Sequence, residues 1–292
     1  MDCGGVGENK SVVPIGAMMR LFMLVLLFAW RPAQAGPTLE IGIWPYMSTQ
    51  ALLTLYHPMQ TYLAGRLQRS VLFVTARDQK TFVDRTQKGE YRFVVTAPHF
   101  ARLAQKEAGY VPMLRPKRNL VGLLVVARDS PMRSLEDLRG KTITLPDRYS
   151  IVAMFTLWTL RVSGLEAGRD FNVRYAESHN NAVLDVLRGT SAAAAVAATI
   201  LDQMPESEKD RVRVLVRTGE ATPLVWIANP SVPREEISEM TRIILDFTEH
   251  TRDGAKFMKR VAWNGLEKPT GKDMESLDPY VADLKRMLEP ER

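Results

Sequence analysis

Three consecutive residues, Arg148, Tyr149 and Ser150, stand where the chain is best suited to bind an anion. A β-rich run at residues 141–145 precedes them, and an apolar helical pattern follows directly. Free backbone N–H groups and the positive end of the helix dipole meet at such a helix start, where they favour negative charge. Arg148 would add a positive charge, and the two hydroxyl groups would add hydrogen-bond donors. The competing interpretation is ordinary capping, in which Asp147 or Ser150 satisfies the helix and binds no ligand.

The elements that would position this loop alternate between strand and helix patterns, which predicts a mainly parallel α/β sheet. In a first unit, strand patterns cover residues 39–43, 71–75, 91–96, 111–114 and 120–127, and helical patterns cover residues 48–67, 79–87 and 98–108. A second unit begins near residue 129 with a helical turn at residues 134–138. Its strand patterns cover residues 141–145, 171–175, 192–197 and 212–216. Its helical patterns cover residues 151–164 and 180–187. A strand at residues 224–227 returns to the first unit, and helices follow from residue 233. The alanine run at residues 192–197 could instead be helical.

Two chain crossings, near residues 125–128 and 223–229, join the two units and indicate a hinge. Ligands of open α/β sheets lie beyond the carboxyl ends of the strands, so we expect ligand contacts from residues that follow strands. The candidate ligand-binding residues are Trp44, Tyr46, Thr96, His99, Arg148, Tyr149, Ser150, His179 and Asn180.

Several of these residues also have a plainer interpretation. His99, in the first turn of a helix, could donate to a bound anion or be a solvated or capping histidine. Trp44 and Tyr46 could line a pocket or belong to the core, and Arg148 could be a surface arginine. For His179, a place in the pocket or hinge is favoured over a role in chemistry.

Composition and motifs argue against catalysis, metal binding and nucleic-acid binding. The 292 residues carry a formal net charge of +6, but no basic run alternates with aromatic residues, so we expect no nucleic-acid partner. The sequence lacks H-E-x-x-H, C-x-x-C, P-loop and dinucleotide motifs, and its four histidines lack metal-ligand spacing. We expect no catalytic residue, metal or cofactor, although a serine nucleophile assembled in space stays open. His57 and His250 are interpreted as structural or exposed.

The N-terminal region has the pattern of an export signal. A basic start, an apolar run at residues 21–30 and an Ala33-Gln34-Ala35 site predict a signal peptide cleaved after Ala35. The apolar run is shorter than the roughly 20 residues that span a bilayer. Translation is expected to begin at Met18 or Met19. Cleavage would remove Cys3, the single cysteine, and so exclude disulfides and thiol chemistry from the mature protein.

Four stretches carry a family resemblance in order along residues 39–229: IGIWPY, TAPHFARLA, SPMRSLEDLRGKTITLPD and ESHNNAVLDVLRG. Together they resemble the periplasmic phosphonate/phosphate-binding proteins of ABC transporters, the PhnD-like family. The resemblance implies an α/β fold of the two-lobe type 2 periplasmic binding protein class, with a hinge and an interlobe ligand cleft. It divides the chain into a signal peptide with an upstream extension (1–35), the first part of lobe 1 (36–127), lobe 2 (128–223) and the return of lobe 1 (224–292).

The chain departs from the family's pattern at the expected ligand loops. Arg148-Tyr149-Ser150-Ile151 replaces the usual Ser-Thr-Ser-Gly, which removes the glycine that allows close backbone approach. Asn180 and Ala192 stand where the family typically has carboxylates that meet a cationic group of the ligand. These departures favour a plain anion over an aminoalkyl phosphonate.

The resemblance implies a monomeric periplasmic protein that captures a small anion, phosphonate- or phosphate-like, and delivers it to an ABC permease. A first alternative keeps the fold but makes the protein a ligand-sensing module for a membrane receptor or histidine kinase. An enzyme on the same fold ranks third.

Overall fold

The computed structural model describes residues 1–5 and 37–288. The chain divides into two units, Met1–Pro37 and Thr38–Arg292. The described residues of the first unit have no regular secondary structure, and the predicted signal peptide otherwise lies outside the described residues. In the described part of the chain, no helix is both long and apolar enough to cross a membrane.

The second unit contains strands and helices in alternation. The strands are β1 (Leu39–Ile43), β2 (Val71–Val74), β3 (Phe93–Thr96), β4 (Val111–Pro116), β5 (Leu120–Ala127), β6 (Thr142–Leu145), β7 (Asn172–Tyr175), β8 (Ala193–Ala197), β9 (Val212–Ala221), β10 (Val225–Ala228) and β11 (Leu266–Glu267). The α-helices are α1 (Thr49–Leu67), α2 (Gln79–Gln87), α3 (Pro98–Ala108), α4 (Ile151–Val162), α5 (His179–Leu187), α6 (Ala198–Gln203), α7 (Glu206–Lys209), α8 (Arg234–His250), α9 (Arg252–Arg260), α10 (Gly271–Glu275) and α11 (Asp278–Leu288). A 3-10 turn covers Glu136–Leu138.

The strands form two sheets, and each sheet with its helices makes one lobe. The first lobe contains a six-stranded sheet in the order β11-β4-β10-β3-β1-β2, and the second a five-stranded sheet in the order β7-β6-β8-β5-β9. The prediction of a mainly parallel sheet is wrong, because three of the five strand pairings in the first sheet and two of the four in the second are antiparallel. Strands β1, β2 and β3 are parallel, as are β6, β7 and β8, but β10 and β5 run antiparallel to their neighbours.

Each antiparallel pairing of the two sheets includes a strand next to one of the crossings between the lobes. Since β4 belongs to the first sheet and β5 to the second, the first crossing lies at residues 117–119. The prediction of a crossing near residues 125–128 is therefore wrong, because the apolar run LVGLLVVA is equally compatible with either sheet. The second crossing lies at residues 222–224, close to the predicted position. The predicted lobe boundaries otherwise stay a prediction.

The alanine run forms a strand, as the favoured interpretation has it. Strand β8 is buried along its whole length and lies between β6 and β5. Helices α4 and α5 both pack against it, and small side chains let them approach closely.

Two glycines make room for the helix that follows the predicted anion loop. A Cβ atom added to Gly122 or Gly219 would lie 3.0 or 2.9 Å from the ring of Phe155, which is fully buried in α4. These distances are shorter than ordinary van der Waals contact, so the glycines on β5 and β9 create the space for this ring. The position of α4, and with it the loop before it, depends on that space.

The C-terminal helix α11 contacts both lobes. Asp278 accepts hydrogen bonds from Arg102 of α3 at 2.8 and 3.0 Å, and Asp283 accepts from Arg161 of α4 at 3.1 and 2.8 Å. The ring of Tyr280 lies edge-on to Phe155, with 5.1 Å between centroids. Helix α11 therefore ties the first helix after β3 to the helix after β6.

Candidate functional site

A cleft of ≈ 590 Å³ lies between the two lobes, at the carboxyl ends of several strands. Its walls come from loops and helix starts of both lobes. The lining residues are Trp44, Tyr46, Met47, Leu55, Ala97, Leu120, Pro146, Asp147, Tyr149, Ser150, Ile151, Glu177, Ser178, His179, Asn180, Ala197, Thr199, Ile200, Pro223, Leu224, Arg260, Val261 and Trp263.

The loop after β6 lines the cleft and also caps α4. The Asp147 carboxylate accepts a hydrogen bond from the Tyr149 N–H at 2.7 Å, and Ser150 Oγ accepts from the Val152 N–H at 3.2 Å. The capping interpretation therefore holds for Ser150, whereas Asp147 bonds within the loop before the helix. Tyr149, Ser150 and Ile151 also face the cleft. Because the first N–H groups of a helix lack partners within it, this wall can still donate to a ligand.

Arg148 lies outside this set of lining residues. Its side chain is exposed, and its guanidinium carbon lies 5.9 Å from the ring centroid of Tyr175. The surface interpretation of Arg148 therefore fits the structure better than the prediction that it supplies charge to the ligand.

His99 is fully buried and links the two lobes. Its Nε2 atom donates a hydrogen bond to the carbonyl oxygen of Tyr149 at 2.9 Å. Burial lowers the pKa of His99 to about 3, so the ring is neutral at pH 7. It does not line the cleft, and its proton is already donated to a backbone carbonyl. The structure thus gives His99 neither predicted role, ligand donor nor solvated cap, but places it as a contact between α3 and the loop after β6.

The other predicted residues of the first lobe divide between cleft and core. Trp44 lines the cleft while its ring packs against Phe82 and Phe100. Tyr46 also lines the cleft and is 37% exposed. Thr96 is buried at the end of β3 and does not reach the cleft. Both interpretations of the aromatic pair thus hold in part.

His179 lines the cleft from the start of α5. Its Nδ1 atom accepts a hydrogen bond from the Ala197 N–H at 3.2 Å, so the neutral ring carries its proton on Nε2. Burial lowers its pKa to about 4, which keeps the ring neutral at pH 7. Ser178 caps the same helix through the Asn181 N–H at 3.1 Å, and Asn180 lies exposed in the cleft wall.

Residues 41–274 match the family model described as ABC transporter, phosphonate, periplasmic substrate-binding protein. The chain belongs to this family. Its fold is that of the periplasmic substrate-binding proteins, so the predicted two-lobe α/β class is confirmed.

Solved structures of the same fold share little sequence with this member of the family. PhnD1 from Prochlorococcus marinus in complex with methylphosphonate has a TM-score of 0.71 at 14% identity, covering 85% of this chain and 98% of that chain. XAC2383 from Xanthomonas citri bound to ATP has a TM-score of 0.72 at 19% identity, covering 86% and 99%. At these identities the likeness concerns the fold alone.

A curated relative is a sensor. The tetrathionate sensor histidine kinase TtrS of Salmonella typhimurium is 25% identical over 195 residues, which is 62% of this chain and 33% of that protein. The chain therefore spans about a third of the length of this relative.

Sequence reasoning missed lining residues that this phosphonate-family chain contributes from its C-terminal part. Arg260 and Trp263, at and just after the end of α9, lie in the cleft wall with Val261. They follow a helix, not a strand, so the rule applied to the sequence could not find them. Ala262 between them has a φ of 55°, a left-handed conformation that is uncommon for residues other than glycine.

The charged side chains that line the cleft are mixed in sign. They are Asp147, Glu177 and Arg260. Glu177, like Ala262, has a left-handed backbone, with a φ of 61°. Among the described residues, no cluster of three or more potential metal-ligating side chains occurs. The lining therefore carries no surplus of positive charge, and Arg260 is the one positively charged side chain among the described lining residues.

Proposed function

We propose that the protein captures a small anion with a phosphonate- or phosphate-like group between its lobes and delivers it to an ABC permease. The observation that carries the proposal is the interlobe cleft, whose second-lobe wall contains the first residues of both α4 and α5. Helix starts bind tetrahedral oxyanions through N–H groups and the helix dipole. Membership of the phosphonate-binding family supports the same ligand class.

Several finer statements belong to the proposal. The protein would act in the periplasm after cleavage of its signal peptide, as a monomer, and return its ligand chemically unchanged. Family membership supports the location and the transport role. Incubation with a bound phosphonate, followed by recovery of the intact compound, tests the absence of turnover.

The second candidate function is sensing for a membrane receptor or histidine kinase. The match to a tetrathionate sensor kinase favours it, since that relative combines a similar region with a kinase. Genomic neighbours distinguish the two: a permease and ATPase beside the gene support transport, and a histidine kinase supports sensing. A thermal shift with tetrathionate would add direct support for sensing.

The test of the primary proposal is a thermal-shift screen against phosphate, phosphite, sulfate, alkylphosphonates and aminoalkylphosphonates. A ligand at 100 times its dissociation constant adds about 2.7 kcal/mol to the free energy of unfolding, which moves the midpoint by a few degrees. Chloride at the same ionic strength is the control, and a shift with a phosphorus oxyanion but none with chloride supports capture of such an anion. The absence of a shift with every member of the panel contradicts it.

A further inference from the structure

The two walls of the cleft differ in chemistry. The second-lobe wall carries most of the polar side chains, including those of Ser150, Ser178, His179 and Asn180. Apart from the tryptophan N–H groups, the polar side chains that the described residues contribute to the first-lobe wall are those of Tyr46 and Arg260. The rest of that wall is apolar or aromatic and includes Trp44, Leu55, Leu224 and Trp263.

The cleft is also large for a bare tetrahedral anion. A water molecule occupies about 30 Å³ of liquid, so an anion of five heavy atoms fills on the order of 100 Å³. Such an anion therefore fills only a small part of the cleft of ≈ 590 Å³. A bare anion held at the helix starts would leave the aromatic wall in contact with water, and burial of apolar surface is favourable.

Trp263 is held in place by contacts within the first lobe. Its backbone N–H donates to the Met258 carbonyl oxygen at 3.0 Å, and its ring lies edge-on to Phe257 with 5.8 Å between centroids. The left-handed Ala262 turns the chain so that Trp263 follows α9 closely. Left-handed residues other than glycine tend to persist where the surrounding structure fixes them, and they cluster at ligand sites.

We propose that the ligand is an organic oxyanion whose apolar substituent, an aryl group or an alkyl chain of several carbons, lies against Trp44 and Trp263. Its tetrahedral head binds the second-lobe wall at Ser150 and Ser178–Asn180. Arg260, which lines the same cleft, would supply positive charge for the head. This inference rests on the proposed function and narrows its ligand class.

The experiment is a calorimetric titration of the full protein with phosphate, methylphosphonate, propylphosphonate and phenylphosphonate. Affinity is expected to rise by about fourfold for each methylene group buried between methylphosphonate and propylphosphonate. Phenylphosphonate is expected to bind more tightly than methylphosphonate, and phosphate is the reference without a substituent. In Trp263→Ala, phenylphosphonate is expected to bind at least tenfold more weakly (~1.4 kcal/mol), while methylphosphonate changes less than about twofold. Trp263→Phe, which keeps a ring, is expected to retain part of the gain.

Trp158→Ala is the matched control, because Trp158 is also a half-buried tryptophan in aromatic contact but lies outside the cleft. It should leave the series unchanged, and circular dichroism of each variant checks that it folds. If methylphosphonate binds as tightly as phenylphosphonate, the inference is wrong while the proposed function stands. If phenylphosphonate still binds more tightly than methylphosphonate by the same factor in Trp263→Ala, the aromatic wall does not bind the apolar substituent. If no member of the series binds and no member of the thermal-shift panel gives a shift, the proposed function itself fails.

Discussion

At the scale of single residues, the buried hydrogen bond between His99 and the Tyr149 carbonyl is the clearest contact between the lobes. We expect His99→Ala to lower the free energy of unfolding by about 2–4 kcal/mol, since it leaves a cavity and an unpaired buried carbonyl. Urea denaturation measures the change. His57→Ala is the control, because His57 is exposed and should stay within about 0.5 kcal/mol of the native protein. Equal effects of the two substitutions would contradict the role given to His99.

The same residue predicts how stability depends on pH. The pKa of His99 is lowered from 6.5 to about 3 in the folded protein, chiefly by burial, so the unfolded chain binds the extra proton between these values. The contribution of His99 to the free energy of unfolding is fully present above pH 6.5. It is lost as the pH falls towards 3, by up to about 1.4 kcal/mol per pH unit. Urea titrations at pH 7, 6 and 5 should show the decline, and His99→Gln should reduce its slope. An unchanged slope in that variant would exclude His99 as the source.

Two arginines differ in how they were found: the sequence predicts Arg148 as a ligand contact, and the structure places Arg260 in the cleft wall. Arg260→Ala is expected to weaken phosphonate binding by about tenfold, the scale of a hydrogen bond to a charged group, whereas Arg148→Ala should leave affinity unchanged. Calorimetry of both variants gives the comparison, and the reverse pattern would restore Arg148 to the site. The sequence identifies Arg148 because it follows a strand. It contains no signal that this side chain extends over Tyr175 instead.

Other residues show the same limit on prediction from sequence. Tyr149, Ser150, His179 and Asn180 line the cleft, and their contacts with a ligand stay predictions. A strand end fixes which loop a residue occupies, and that much can be predicted. Whether a side chain faces the cleft or the core depends on the opposite lobe, as His99 shows. The local sequence pattern contains no information about that lobe.

At the scale of elements, many predicted bounds agree closely with the structure, as in β1, α2 and α3. The prediction for β9 is too short, since it ends at residue 216 and not at 221, and helices α6 and α7 were not predicted. Hydrophobic periodicity and glycine or proline boundaries carry that information. The direction of strand pairing cannot be predicted from the same signals. Strand β5 has an apolar pattern compatible with either orientation, and only its partners β8 and β9 make it antiparallel.

The packing of Phe155 of α4 against Gly219 gives a prediction at the scale of elements. Gly219→Ala places a Cβ atom 2.9 Å from the Phe155 ring, so it is expected to cost about 1–3 kcal/mol of stability and to weaken ligand binding by shifting the start of α4. Gly65→Ala is the control, since nothing lies within 4 Å of its added Cβ on α1. That change should stabilise by about 0.5–1 kcal/mol. Urea denaturation should give opposite signs, and two stabilising results would show that Phe155 moves without cost.

At the scale of the whole molecule, α11 holds helices of both lobes in one arrangement. Arg102 and Lys106 lower the pKa of Asp278 to about 2, so its carboxylate stays charged and paired with the first lobe across the neutral range. Asp283 makes the corresponding pair with Arg161 of the second lobe. Any hinge motion that separates α3 from α4 must therefore carry α11 with one lobe and break its contacts with the other.

Asp283→Asn should weaken the second of these ties, because a neutral amide binds the Arg161 guanidinium less strongly than a carboxylate does. The stability of the fold is expected to fall by about 1 kcal/mol or less, the scale of partly exposed ion pairs. The lobes should separate more in the absence of ligand, which small-angle scattering would detect as a larger radius of gyration. Apparent affinity should weaken by the same factor by which the closed population falls. Glu220→Gln, which removes an exposed ion pair within β9, should change neither quantity. Identical scattering from all three proteins would mean that α11 moves with the first lobe and does not restrain the hinge.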